Sequence, residues 1–104
     1  RLIKKVALQM HSKLDFMARL STGRVEERIA AILFLLAESY GEKDGISIRL
    51  TIPLTRQELG EMSGTTTETT IRTLSKWNKT NMVTTEHHHI TIADPSALEL
   101  VLRN

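Results

Sequence analysis

Residues 54–83 read LTRQELGEMSGTTTETTIRTLSKWNKTNMV, and the spacing inside this stretch predicts two short helices joined by a tight turn. Thr55 is a good N-cap and Glu58 stands three residues later, the pairing of a capping box. Leu54 and Leu59 flank that box at the spacing of a hydrophobic staple, and Pro53 closes whatever precedes it. The first helix is expected from Arg56 to about Met62, with Leu59 and Met62 facing inward at i, i+3. Ser63-Gly64 supplies the break, because Gly64 reaches a left-handed conformation without the steric penalty of a side chain. The second helix starts at Thr65 or Thr66. Both are competent caps, and Thr65 with Glu68 offers a second capping box. Ile71, Leu74 and Trp77 recur along this helix, while Thr67, Glu68, Arg72, Ser75 and Lys76 fall mostly on other faces. Two short helices with a polar, basic second member form the layout of a helix-turn-helix, which places one helix in the DNA major groove.

Glu68 and Arg72 are four apart and therefore neighbours on one helical face. A carboxylate can accept from cytosine N4, and an arginine can bind guanine O6 and N7. The same two residues also suit a surface ion pair of ~0.3–0.5 kcal/mol with Glu68 near the cap. The surrounding helix-turn-helix pattern favours base reading.

Outward from this unit the chain alternates between helical and strand periods. Residues 1 to about 20 read as a helix in which Ile3, Met10 and Met17 repeat every seven, with Val6 and Leu20 at the intervening seam positions. Ser21-Thr22-Gly23 breaks that pattern and offers a cap. A second helix is expected from about Arg24 to Tyr40, with Val25, Ile29, Ile32, Leu33, Leu36 and Tyr40 as its buried stripe and Phe34 and Leu35 widening it. Glu26 and Glu27 suit its N-terminal end through the helix dipole, and Gly41 ends it. Glu42 to Gly45 form a turn, and Ile46 to Ile52 then alternate at the period of a half-buried strand. Met82–Thr85 and Ile90–Ile92 read as two short strands, with Glu86 to His89 as the tip between them. Asp94 caps a last short helix that has Pro95 at its first position and Leu98, Val101 and Leu102 facing inward.

The succession LTRQELGEMSG, TTTETTIRTLSKW, NKTNMV and HITI resembles the C-terminal DNA-binding domain of the Crp/Fnr-type bacterial transcription regulators, over nearly the whole chain. The resemblance implies a mainly α fold with a small antiparallel β-sheet, a winged helix-turn-helix (21–104) preceded by the end of a dimerisation helix (1–20). Thr55 to Glu58 match the family's Thr-Arg-Gln-Glu start, and Glu68, Thr69 and Arg72 match the Glu-Thr-x-x-Arg core of its recognition helix. By that match Thr67, Glu68 and Arg72 would read bases. The DNA backbone would be held by Arg56, Thr66, Ser75, Lys76, His87 and His88, and the dimer seam would use Ile3, Val6, Met10 and Met17. Thr70 stands where the family usually has an aliphatic residue, Trp77 where it has Leu and Asn81 where it has Gly. Ile71 stands where a small residue is common. It could reach a thymine methyl, but its spacing with Leu74 favours the core. The expected partners are double-stranded DNA, a second copy of the chain and, for an activator, RNA polymerase.

Composition agrees without deciding. The chain has 104 residues, 40% hydrophobic and 25% charged, with 14 basic and 12 acidic side chains, ordinary values for one globular domain. The net charge of +2 does not by itself imply nucleic acid. The placement of Arg72, Lys76 and Lys79 on or just after the second helix of the unit carries more weight, as does Arg56 at the start of the first. There is no cysteine, which excludes a disulfide, a thiolate nucleophile or a cysteine-held iron–sulfur cluster in this segment. The most apolar run, Ala30 to Ala37, is far too short to span a membrane, so a cytoplasmic location is expected. The chain opens on Arg1 inside a helical pattern and reads as the C-terminal part of a longer protein. By resemblance the remainder would be an effector-sensing β-barrel, and no cofactor is expected in this segment.

His87-His88-His89 is the obvious candidate for a metal site. Successive residues of a strand point to opposite faces, so three in a row do not converge on one ion. A wing tip near phosphate is the better reading. No catalytic motif occurs: there is no G-x-S-x-G, P-loop, H-E-x-x-H or dinucleotide fingerprint, and no enzyme is expected. The competing class is a winged-helix module that assembles with a protein partner through its second helix.

Overall fold

The computed structural model describes residues 23–103. Ile3, Val6, Met10 and Met17, the residues expected at the dimer seam, lie outside the described residues. Within them the order is α1 (Val25–Tyr40), β1 (Gly41–Asp44), β2 (Ser47–Leu50), α2 (Arg56–Ser63), α3 (Thr67–Lys79), β3 (Val83–Glu86), β4 (His89–Ile92) and α4 (Pro95–Arg103). The four strands form one antiparallel sheet in the order β1-β2-β4-β3. Helices and sheet enclose one core, built from Ile29, Leu33 and Phe34 of α1, Leu59 of α2, Leu74 and Trp77 of α3, the inward strand residues, and Leu98 and Leu102 of α4.

The local signals of α2 are realised as read. Thr55 Oγ1 accepts the Glu58 N–H at 3.0 Å and the Glu58 carboxylate accepts the Thr55 N–H at 2.9 Å. Leu54 and Leu59 are both buried, as a staple requires. Gly64 takes the left-handed conformation at φ 72°, ψ 36°. Asp94 accepts the Ala97 N–H at 3.2 Å, which places Pro95 at the first position of α4, where its missing N–H costs nothing.

Several expectations are corrected. Gly41–Asp44 is not a turn but an outer strand, paired with β2 from Gly41↔Leu50 to Asp44↔Ser47. The strand expected over 46–52 is accordingly shorter. Ile48 and Leu50 are buried and Arg49 is exposed, as alternation demands, but Ile46 lies in the hairpin turn and is 75% exposed. The buried face of α1 includes Ala30, Ala31 and Ala37, whereas Tyr40 is exposed. The three alanines let the helix approach its neighbours closely, a use of small residues that a stripe of large apolar side chains does not reveal. Met62 points outward, and Ser63 is buried in its place with Oγ donating to Leu59 O at 2.8 Å.

Candidate nucleic-acid interface

Helix α3 is presented by its contacts with α2 and with the wing, the β3–β4 hairpin. Its cap is Thr66, whose Oγ1 accepts the Thr69 N–H at 3.1 Å, rather than Thr65. The Thr65 N–H instead donates to Gly60 O at 2.9 Å and closes the turn. The buried face is Thr70, Thr73, Leu74 and Trp77, the i, i+3, i+4, i+7 pattern of an amphipathic helix. Thr70 is fully buried, and its hydroxyl donates to Thr66 O at 2.9 Å, so the polar atom is satisfied within the helix. That bond lets threonine occupy a core position.

Helix α2 crosses α3 at Gly60. A Cβ there would lie 2.8 Å from Thr70 Oγ1, 3.1 Å from Thr65 O and 3.2 Å from Thr66 O. The hydrogen of glycine is therefore what allows α3 to sit at this depth. The Arg28 guanidinium ties α1 to the turn at the end of α2. Its Nε donates to Ser63 O at 2.8 Å, one terminal nitrogen donates to Gly64 O at 3.3 Å, and the other donates to Gly23 O at 2.6 Å.

This leaves Thr67, Glu68, Ile71, Arg72, Ser75, Lys76, Asn78 and Lys79 as the exposed face of α3. The three residues expected to read bases, Thr67, Glu68 and Arg72, all lie on it. Ile71 lies there too, 47% exposed, which corrects its assignment to the core. The stripe Ile71–Leu74–Trp77 steps by three and drifts around the helix, whereas Thr70–Leu74–Trp77 holds one face.

Two shallow grooves border the exposed face. One is lined by Arg56, Leu74, Ser75, Asn78 and Thr85, bringing together the start of α2, the flank of α3 and the wing. Arg56 and Ser75 are two of the residues expected at the DNA backbone, and this groove unites them. Asn78 and Thr85 are additions that the sequence reading misses, although Asn78 stands three residues after Ser75 on the same helical row. The other groove is lined by Val25, Glu26, Thr69, Arg72, Thr73 and Lys76. Here Lys76 forms an ion pair with Glu26 across the gap to α1. Lys76 is thus held by an acid of its own domain, a partner that the sequence reading does not foresee because the two are far apart in the chain.

The wing turn is tighter than expected. Its tip is His87-His88 alone, and His89 belongs to β4, opposite Glu86. Both tip residues have positive φ, 52° and 66°, as a two-residue hairpin with matching twist requires. Non-glycine residues are uncommon there, histidine less so than most. Both side chains are exposed, and His88 O accepts the Leu54 N–H at 2.8 Å. The wing tip is therefore pinned to the segment that leads into α2. Asn81 also has positive φ, 60°, the conformation for which asparagine is the usual substitute for glycine.

With this geometry in view, residues 27–101 match the family model described as a Crp-like helix-turn-helix domain. The chain is 30% identical over 84 residues to the fumarate and nitrate reduction regulatory protein of Escherichia coli, covering 81% of this chain and 34% of that protein. It is 26% identical over 104 residues to the electron transport regulator A of Shewanella oneidensis, covering 100% of this chain and 42% of that protein. The chain thus spans well under half the length of these curated relatives. Among solved structures, a CRP-family transcriptional regulator of Thermus thermophilus superposes with a TM-score of 0.74 at 24% identity, over 97% of this chain and 51% of that one. A CooA variant of Carboxydothermus hydrogenoformans does so with a TM-score of 0.72 at 24% identity, over 85% and 41%. These two likenesses bear on the fold.

Proposed function

The chain belongs to the family of Crp-like helix-turn-helix domains, and on that premise we propose that it is the sequence-reading part of a transcription regulator. It acts as a homodimer on a two-fold symmetric operator whose half-sites lie about one helical turn (~34–36 Å) apart. The observation that carries this reading is the exposed face of α3. It offers a carboxylate, a guanidinium and hydroxyls, with one large apolar side chain among them. A helix that docked into a protein partner would need an apolar face.

Thr67, Glu68 and Arg72 read base edges. Arg56, Thr66 and Ser75 hold phosphates, Arg56 and Ser75 from the groove beside the wing, and His87 and His88 reach the backbone from the wing tip. Ile3, Val6, Met10 and Met17 form the dimer seam in the segment before Gly23, with residues 1–20 ending the dimerisation helix. In an activator the domain also meets RNA polymerase. The protein is not an enzyme and works in the cytoplasm; no helix among the described residues is long and apolar enough to cross a membrane. The effector binds elsewhere in the full protein.

The experiment that tests this reading is selection of bound sequences from a random duplex library with the dimeric protein. An enriched inverted repeat is expected. No enrichment, with no binding even at low salt, would turn the assignment toward protein assembly.

Lys76 must leave Glu26 to reach a phosphate, so its contribution is the difference between two ionic partners. Lys76→Gln should weaken cognate and unrelated DNA by the same factor and flatten the dependence of log K on log salt by up to about one unit. A changed preference among sequences would instead make Lys76 a base reader.

The wing histidines give a second test. Replacing His87 and His88 with Gly keeps the left-handed turn and removes both side chains from the tip. Affinity for cognate and unrelated DNA should then fall by the same factor. Unchanged affinity removes the wing from the interface.

A further inference from the structure

We infer that Ile71 reads a thymine through its C5-methyl group and thereby fixes one base pair of each half-site. The inference rests on the DNA-reading role proposed above and adds a base contact to it. Five large apolar side chains are markedly exposed among the described residues: Tyr40, Ile46, Met62, Ile71 and Leu100. Ile71 is the one on α3, and its surroundings are polar. Thr67 lies one turn before it, Ser75 one turn after and Glu68 beside it, all exposed.

Neither folding nor helix formation calls for isoleucine at this position. The core of α3 is completed by Thr70, Leu74 and Trp77 on the other face. A β-branched residue is also a poorer helix former than alanine or a straight-chain polar residue. What the side chain can do is set by its chemistry. It neither donates nor accepts, and thymine is the unmodified base that shows an apolar group in the major groove. Against guanine, adenine or cytosine the same side chain would cover a polar base edge and leave it without a partner. Ile71 thus favours thymine by attraction and disfavours the other three by desolvation.

The test uses the site selected by the wild-type dimer, with each thymine replaced in turn by deoxyuridine. That replacement removes the methyl group and keeps every hydrogen-bonding group. At one position per half-site it should weaken binding about fourfold, the worth of one buried carbon at ~0.8 kcal/mol. Ile71→Ala should bind the thymine and deoxyuridine sites equally, and Ile71→Val should retain most of the discrimination. The position is exposed, so both variants should match the wild type in circular dichroism. If deoxyuridine is harmless at every position, or its penalty persists in Ile71→Ala, the inference fails while DNA reading stands. If the wild type selects no site at all, the DNA-reading premise fails and the inference goes with it.

Discussion

Gly60→Ala should lower the melting temperature by about 5–15 °C, as overpacking by ~1–3 kcal/mol does in a small domain. The added Cβ has nowhere to go. It meets the Thr70 hydroxyl at 2.8 Å, inside any real Cβ contact, and two main-chain carbonyls at 3.1 and 3.2 Å. Thr70 cannot rotate away cheaply, because it is fully buried and its hydroxyl is bonded to Thr66 O. The helices must separate by some tenths of an ångström, which also loosens the Thr65-to-Gly60 bond that closes the turn. In a domain of this size each kcal/mol moves the midpoint by roughly 4–8 °C. The better helix propensity of alanine returns up to about 1 kcal/mol. The effect is measured by thermal unfolding followed by circular dichroism. Thr70→Ala removes the nearest obstructing atom, so the double variant should lose less than the sum of the two single ones. Strict additivity, or an unchanged midpoint, would mean that the crossing has room to spare.

Arg72→Ala should cost about 1–3 kcal/mol on the cognate site, roughly five- to hundredfold in affinity, and it should do so selectively. Its side chain is exposed on α3 and forms no ion pair among the described residues. Truncation therefore leaves no partner stranded inside the described domain, and the loss is a loss of DNA contact. A base contact and a phosphate contact are told apart by where the loss falls. If Arg72 reads a guanine, the variant binds sites changed at that one base pair as well as it binds the cognate site, and sites changed elsewhere remain penalised. The comparison needs binding isotherms at one fixed salt concentration, since phosphate contacts move with salt. A uniform loss across all sites would place Arg72 on the backbone beside Lys76, with which it shares a groove.

The parts of the fold legible in the sequence are those set by neighbours in the chain. The capping box of α2, the left-handed Gly64 and the Asp94 cap with Pro95 behind it are short-range bonds whose donors and acceptors lie within a few residues. The missed parts depend on distant segments. Gly41–Asp44 is a strand because β2 offers it an edge, not because its own polar sequence has a strand period. Apolarity alone turns Ile71 inward and sets Thr70 aside, yet threonine can silence its hydroxyl against the preceding turn and pack its methyl. The same limit applies to the interface. Helical spacing suffices to put Thr67, Glu68 and Arg72 on one open face. The meeting of Arg56 with Ser75, Asn78 and Thr85 needs the wing in place, and the Glu26 partner of Lys76 needs α1 beside α3.

The guanidinium of Arg28 joins Gly23, where the described chain begins, to Ser63 and Gly64, where α3 is about to start. Those points are remote in sequence but share one side chain. Truncating Arg28 would therefore strip a donor from three main-chain carbonyls at once, one before α1 and two at the turn between α2 and α3.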